Sequence, residues 1–311
     1  MRGTATHVFF IATCMLMCMV ACMNHAVAQQ RVEIRQYMFN GLVINPAYAG
    51  ADEALSLTFV HRKQWAGMDQ SPTTQTLSAH TLFRKKLMGL GMTLVNDAIG
   101  VNRNTSALGS YAYHIYTGEK SYISFGIQAG IHNRRSDYGS LVANHQNDPK
   151  LNTASVSYTV FDFGAGVYYR SERFDLGISA PELIPEQAQV NDSVSIQLSG
   201  VNYLALGRYR IALNEGIVFE PGVLIKYLPH VPVSFDLNAN FIFRKVLTSG
   251  LSYRKKESID FLVKCQMTPQ LQFGYSYDHA IGNISSISNG SHEFMLQYVF
   301  RYIQTNVTSP R

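Results

Sequence analysis

Charge is scarce in this chain. Only 15% of its 311 residues are Asp, Glu, Lys or Arg, against roughly 25% in an average soluble protein. A soluble protein so low in charge needs one large buried core. Long apolar runs are missing too. Beyond residue 22 no stretch approaches the roughly 18 residues that a membrane-crossing helix requires, which excludes a helical membrane bundle. Cysteine is confined to 4 residues, and three of them (Cys14, Cys18, Cys22) fall near the start. Cys265, left alone, can form neither an internal disulfide nor a cysteine zinc site. It alternates with Phe261 and Val263 and reads as a small apolar residue of a strand. What the chain has in quantity is 18 Tyr, 17 Phe and 23 Gly. Such aromatic content excludes disorder. An aromatic, glycine-rich, charge-poor chain without long apolar stretches matches a transmembrane β-barrel in bulk.

The first 28 residues read as a secretory signal. Arg2 is their one charged residue, Val8 to Cys22 is uncharged, and Ala26-Val27-Ala28 is an A-x-A exit before Gln29. Cys22 as a lipoprotein acceptor is the lesser reading, because Met19 suits that site poorly. Without residues 1–28 the chain keeps 25 basic and 21 acidic residues, a net of +4. That is too mild and dispersed to point to nucleic acid.

Period-2 alternation runs through the rest. Phe294, Leu296, Tyr298 and Phe300 share one face, with Glu293, Met295, Gln297 and Val299 on the other. Phe161, Phe163, Ala165, Val167 and Tyr169 oppose Asp162, Gly164, Gly166, Tyr168 and Arg170. Val233, Phe235, Leu237, Ala239 and Phe241 oppose Ser234, Asp236, Asn238 and Asn240. The expectation is about fourteen strands over 54–65, 73–83, 87–97, 107–117, 121–132, 158–170, 173–180, 199–213, 217–228, 232–243, 246–254, 258–267, 270–279 and 292–302. Every second connection is a short turn, while the long loops (66–72, 98–106, 133–157, 181–198, 280–291) all fall in the other set. An even count with sorted loops is the outer-membrane pattern and puts both termini on the periplasmic side. The chain then divides into a signal peptide (1–28), an N-terminal arm (29–53), a barrel (54–302) and a tail (303–311). Pro46 forbids a regular central strand in the arm, so the arm is expected in the periplasm or inside the lumen.

The stretches Gln36-Tyr37-Met38-Phe39-Asn40 and Ile44-Asn45-Pro46-Ala47-Tyr48-Ala49-Gly50 resemble the opening signature of the PorP/SprF family, outer-membrane proteins of Bacteroidetes linked to type IX secretion and gliding motility. Arg62-Lys63-Gln64-Trp65 with Gly67, then Thr74-Gln75-Thr76-Leu77-Ser78-Ala79-His80, continue the likeness. So do Phe161-Asp162-Phe163-Gly164-Ala165-Gly166, Gly274-Tyr275-Ser276-Tyr277-Asp278 and Gly290-Ser291-His292-Glu293. Gly41 and Val43 depart from it. The resemblance implies a non-enzymatic role in which the barrel binds or anchors a secreted, adhesin-like cargo with a C-terminal secretion domain. It also implies contact with type IX components and peptidoglycan-linked periplasmic machinery.

No catalytic constellation stands out, and no cofactor or metal is expected. H-E-x-x-H and G-x-S-x-G are absent, and Asp278 and His279, adjacent on a strand, must point to opposite faces. Gly89-Leu90-Gly91 reads as a bend in the wall. The basic turns Arg84-Lys85-Lys86 and Arg244-Lys245 are solvated residues or, alternatively, a docking surface for an acidic periplasmic partner. Trp65 suits the membrane boundary. The residues expected to meet partners are Asn45, Pro46 and Tyr48 in the arm, Gln64 and Trp65 at the outer end of the first strand, and Arg134 and Arg135 in loop 133–157. The rival reading is a transporter for a small apolar ligand, with tyrosines lining its route.

Overall fold

The computed structural model describes residues 34–83, 87–137, 139, 155–184, 187–191, 194–197, 200–229 and 231–300. The expected signal peptide, the tail, the basic turn Arg84-Lys85-Lys86 and most of loop 133–157 lie outside these. The strands are β1 (Leu55–Lys63), β2 (Thr73–Phe83), β3 (Met88–Ile99), β4 (Asn102–Gly118), β5 (Ser121–Ser136), β6 (Val156–Arg170), β7 (Phe174–Ala180), β8 (Gln187–Asn191) and β9 (Val194–Gln197). They continue with β10 (Tyr203–Tyr209), β11 (Ile211–Asn214), β12 (Ile217–Tyr227), β13 (Ser234–Phe243), β14 (Leu247–Arg254), β15 (Ser258–Gln266), β16 (Leu271–Ala280) and β17 (Ser291–Phe300). β8 and β9 form a separate hairpin on the segment after β7. All the others build one antiparallel wall.

The wall closes at two seams. β1 pairs with β17, Leu55 opposite Phe300, and β10 pairs with both β7 and β12. β10 and β11 are one wall strand interrupted at Arg210, whose N–H donates to Arg173 O at 2.9 Å. The wall therefore has fourteen strands and no open edge, as a lipid setting without hydrogen-bond partners demands. Alternation carries through as expected: Phe294 and Leu296 are exposed while Glu293, Met295 and Gln297 are buried, and Phe161 is exposed beside buried Asp162. Apolar side chains face outward and polar ones inward, the arrangement of an outer-membrane barrel.

Two expectations about loops need correction. The connection read as 98–106 is a two-residue turn, because β3 and β4 pair out to Ile99 and Asn102. β5 likewise pairs with β4 through Ser136. Arg134 and Arg135 are therefore strand residues and not part of a loop. Asn102, Arg103, Asn104 and Thr105 are polar on both faces, yet continued antiparallel pairing satisfies their backbone groups beyond the apolar belt. The tyrosine expectation also changes. Tyr111, Tyr113, Tyr203, Tyr227 and Tyr253 are exposed on the outer face, whereas wall residues Tyr122 and Tyr168 are buried inside, with the more exposed Tyr116 packed on Tyr122 from the inward register.

Candidate functional site

The lumen is occupied by residues 34–53 of the chain itself. Two short 3-10 turns shape this arm, Gly41–Val43 and Pro46–Tyr48. Asn45 is extended and caps the second turn, its Oδ1 accepting from Ala47 N at 2.9 Å, and Pro46 takes the first helical position, where its missing N–H costs nothing. The arm's direction follows from its partners. Residues 35–36 lie beside Glu293 and Asp278, at the end of the barrel that carries the long loops. Residues 47–53 lie beside Ser124, His114 and Arg170, at the short-turn end.

At the long-loop end the grip is ionic. Glu293 accepts from the backbone N–H groups of Arg35 (2.9 Å) and Gln36 (2.8 Å). Asp278 takes Arg35 Nε at 2.7 Å and Arg62 at 2.9 Å, with Asp260 3.8 Å from Arg35. All five charged side chains are buried. Charges withdrawn from water hold together only when paired and hydrogen-bonded, and here three carboxylates face two guanidinium groups. Farther along, Phe39 lies under the Lys264 ammonium, 4.3 Å from ring centroid to Nζ, and Asn40 donates to Ser78 Oγ at 2.8 Å.

At the short-turn end the grip is one of shape. Asn45 Nδ2 donates to Val167 O (3.0 Å), Ser179 donates to Ile44 O and Ser124 to Ala47 O (2.5 Å each), and His114 Nε2 meets Ala49 O at 2.8 Å. Arg170 donates to Ala51 O at 2.7 Å and Arg208 to Met38 O at 2.7 Å. The wall beneath is glycine. A Cβ on Gly89 would overlap the Ala49 carbonyl, one on Gly126 would overlap the Pro46–Ala47 peptide, and one on Gly166 would overlap Asn45 Oδ1. Gly89 is thus a floor for the arm, which corrects its reading as a bend. Tyr48 packs edge-on to Tyr168 and His80, and its ring leaves no space for a side chain on Gly41. Asp52 closes the arm with Ser56 Oγ at 2.7 Å and His80 Nε2 at 3.4 Å. Burial raises the Asp52 carboxyl, but His80, Arg170 and Ser56 outweigh it and hold the group below the ordinary carboxylate range.

Below the arm a cavity of about 1180 Å³ faces the short-turn end, lined by Arg170, Arg208, Arg210, Glu220, Lys264 and Asp52 among others. Asp175, fully buried, draws Arg170, Arg208 and Arg210 together.

The expected contact residues separate into two groups. Asn45, Pro46 and Tyr48 are buried in the lumen, so of the two roles expected for the arm, filling the lumen is the one its geometry supplies. Gln64 and Trp65 sit in the 64–72 loop at the long-loop end, where Trp65 N donates to Ser291 Oγ at 3.2 Å. Arg134 and Arg135 project from β5 at the same end. Arg244 and Lys245 are exposed in a short turn, both with positive φ. Asp278 is turned into the ionic cluster, with His279 on the outer face. The cluster itself went unforeseen, although a signal was present. A charged residue on the inward register of a membrane strand has no lipid to face and must find a partner in the lumen.

A fourteen-stranded outer-membrane β-barrel whose lumen is filled by its own N-terminal arm is the class these features define. The family of type IX secretion system membrane proteins PorP/SprF matches residues 26–298, and the chain belongs to it. No curated protein matches the chain. Among solved structures, the monoaromatic hydrocarbon channel CymD superposes with a TM-score of 0.50 at 12% identity, covering 85% of this chain and 92% of that one. The outer-membrane protein Omp33 of Acinetobacter baumannii gives 0.46 at 8% identity, covering 80% and 98%. These likenesses concern the fold. The segments that carry the family resemblance meet in space. The opening signature is the arm, and Arg62, Ser78, Gly166, Gly274, Asp278 and Glu293 form the wall against it.

Proposed function

We propose that this protein works as a closed scaffold of type IX secretion at the outer membrane. Its loops on the outer side bind or anchor a secreted, adhesin-like cargo carrying a C-terminal secretion domain. Its short-turn end meets secretion components and peptidoglycan-linked machinery in the periplasm. The observation that carries this reading is the arm. A lumen occupied along its length by hydrogen-bonded chain is not an open pore, and it leaves the two ends of the barrel as the surfaces for partners. At the outer end Gln64, Trp65, Arg134 and Arg135 are the contact candidates. At the inner end the turn with Arg244 and Lys245 supplies positive charge for an acidic partner. No chemistry is required of the barrel, which acts without a cofactor.

The test is a deletion strain complemented with the full chain. One particular cargo is expected to vanish from the cell surface without the barrel and to return with it; unchanged secretion and surface display refute the reading. Asn45→Ala with Tyr48→Ala separates scaffold from contact. With the arm filling the lumen, this variant alters arm packing first, and cargo display suffers only if that packing shapes the outer end.

Passage of a small apolar ligand is the second reading, and the fold shared with the hydrocarbon channel CymD favours it. It requires the arm to leave a lumen whose inward residues include Arg62, Asp278, Glu293 and Arg208. Loss of uptake of an aromatic compound on deletion, with cargo display intact, would select it.

A further inference from the structure

At the outer end of the lumen, away from the arm's ionic cluster, three side chains from three segments converge. His132 is on β5, Asp162 on β6, and Glu182 on the segment that leaves β7. Each places one ligand atom within 4.8 Å of the others. His132 and Asp162 are over nine-tenths buried. His132 Nε2 makes no hydrogen bond among the described residues, yet stands 3.5 Å from Asp162 Oδ2. That separation is long for a good hydrogen bond. It is close to the ~3.4 Å between neighbouring ligands of a tetrahedral ion bound at about 2.0–2.1 Å.

The carboxylate is already oriented for such a task. Asp162 Oδ1 accepts three backbone N–H groups, from Phe163 (2.7 Å), Leu183 (3.2 Å) and Ile184 (3.0 Å). These bonds occupy one oxygen and present the other to His132. They also hold the chain on either side of Glu182, as do Leu183 N to Phe163 O at 2.7 Å and Gln128 Nε2 to Pro181 O at 2.5 Å. Outer-shell bonds of this kind fix first ligands in metal sites. One imidazole with two carboxylates selects a borderline transition ion over calcium or magnesium, which take oxygen alone.

We propose that His132, Asp162 and Glu182 bind one divalent transition-metal ion of the Zn²⁺ class, water completing the coordination, and that the ion pins the segment after β7 to the barrel wall. His132 and Asp162 sit on paired strands, whereas Glu182 lies beyond the end of the β6–β7 pairing at Ala165 and Ala180, so the ion ties that segment to a wall to which β-pairing does not hold it.

The test uses untagged full-length protein, folded in detergent and stripped with chelator. Zn²⁺ is titrated by calorimetry, and Co²⁺ is followed by its visible d–d absorption. One ion per chain is expected, with His132→Ala and Asp162→Asn each weakening binding by at least about 10-fold. Glu182→Gln lies outside the wall and keeps the barrel intact if the others fail to fold. It is expected to weaken binding to the same degree. His279→Ala, which alters an outward-facing histidine, is expected to change nothing. Zn²⁺ is also expected to slow proteolysis within residues 181–202 in the parent chain and not in the variants. Absence of stoichiometric binding, or equal binding by Glu182→Gln and the parent, overturns the proposal and leaves a plain His–Asp contact.

Discussion

The two ends of the arm are held in opposite ways. Around Arg35 and Gln36 the wall supplies carboxylates, and the contacts are charge-assisted bonds of 2.7–2.9 Å. Around Asn45 to Ala51 the wall supplies glycines and hydroxyls, with His114 and Arg170 at the far end, and the bonds are to backbone carbonyls. An ionic grip tolerates repacking but not neutralisation, because each lost partner strands a buried charge. A shape-matched grip depends less on charge and is intolerant of a single added methyl group. The arm is therefore released by different insults at its two ends.

The largest effect is expected at the ionic end. Asp278→Ala leaves Arg35 and Arg62 short of a partner and should cost about 3–5 kcal/mol, read as a lowered urea midpoint with trypsin newly cutting at Arg35. A variant that keeps the parent midpoint would show that the carboxylates are not the anchor. At the other end, Gly126→Leu drives a side chain into the Pro46–Ala47 peptide and should cost about 1–3 kcal/mol or more. Displacing the arm there should raise ion conductance across planar bilayers. If Gly126→Leu proves the more damaging of the two, shape and not charge dominates the fit. Asn45→Ala removes the cap and the bond to Val167 and should cost about 1–2 kcal/mol, with the barrel still assembled.

A smaller, pH-dependent effect is expected at Asp52. Its carboxyl is held below the ordinary 3.8 in the folded chain. The stability it contributes is thus complete above that value and is lost as pH falls through the lowered one. Hydrogen exchange of residues 48–56 should rise only in acid, and Asp52→Asn should flatten that dependence. Smallest of all, breaking the exposed Lys120–Glu172 pair between two neighbouring short turns should leave the midpoint unchanged, since solvent screens such pairs.

Much of the wall was legible from the chain alone. Alternation is local, each strand must meet the same bilayer, and Phe161 beside Asp162 or Leu296 beside Gln297 declares a face without any knowledge of neighbours. Pairing beyond the apolar belt was not legible, because the polar stretch Asn102 to Thr105 looks the same as a loop until a partner strand lies beside it. Nor were Gly89 and Gly126, whose absence of a side chain has meaning only once the arm lies over them.

The sequence by itself determined a closed, even-stranded membrane wall with sorted loops, because period-2 patterning and turn spacing are short-range properties and lipid admits few solutions. Only the tertiary structure decided what fills that wall. The bond from Arg35 to Asp278 spans 243 positions, and the meeting of His132, Asp162 and Glu182 draws on three separate segments. Nothing in the spacing of such residues announces their contact. The wall closing around the arm makes the first contact, and the side-by-side placing of β5, β6 and β7 makes the second.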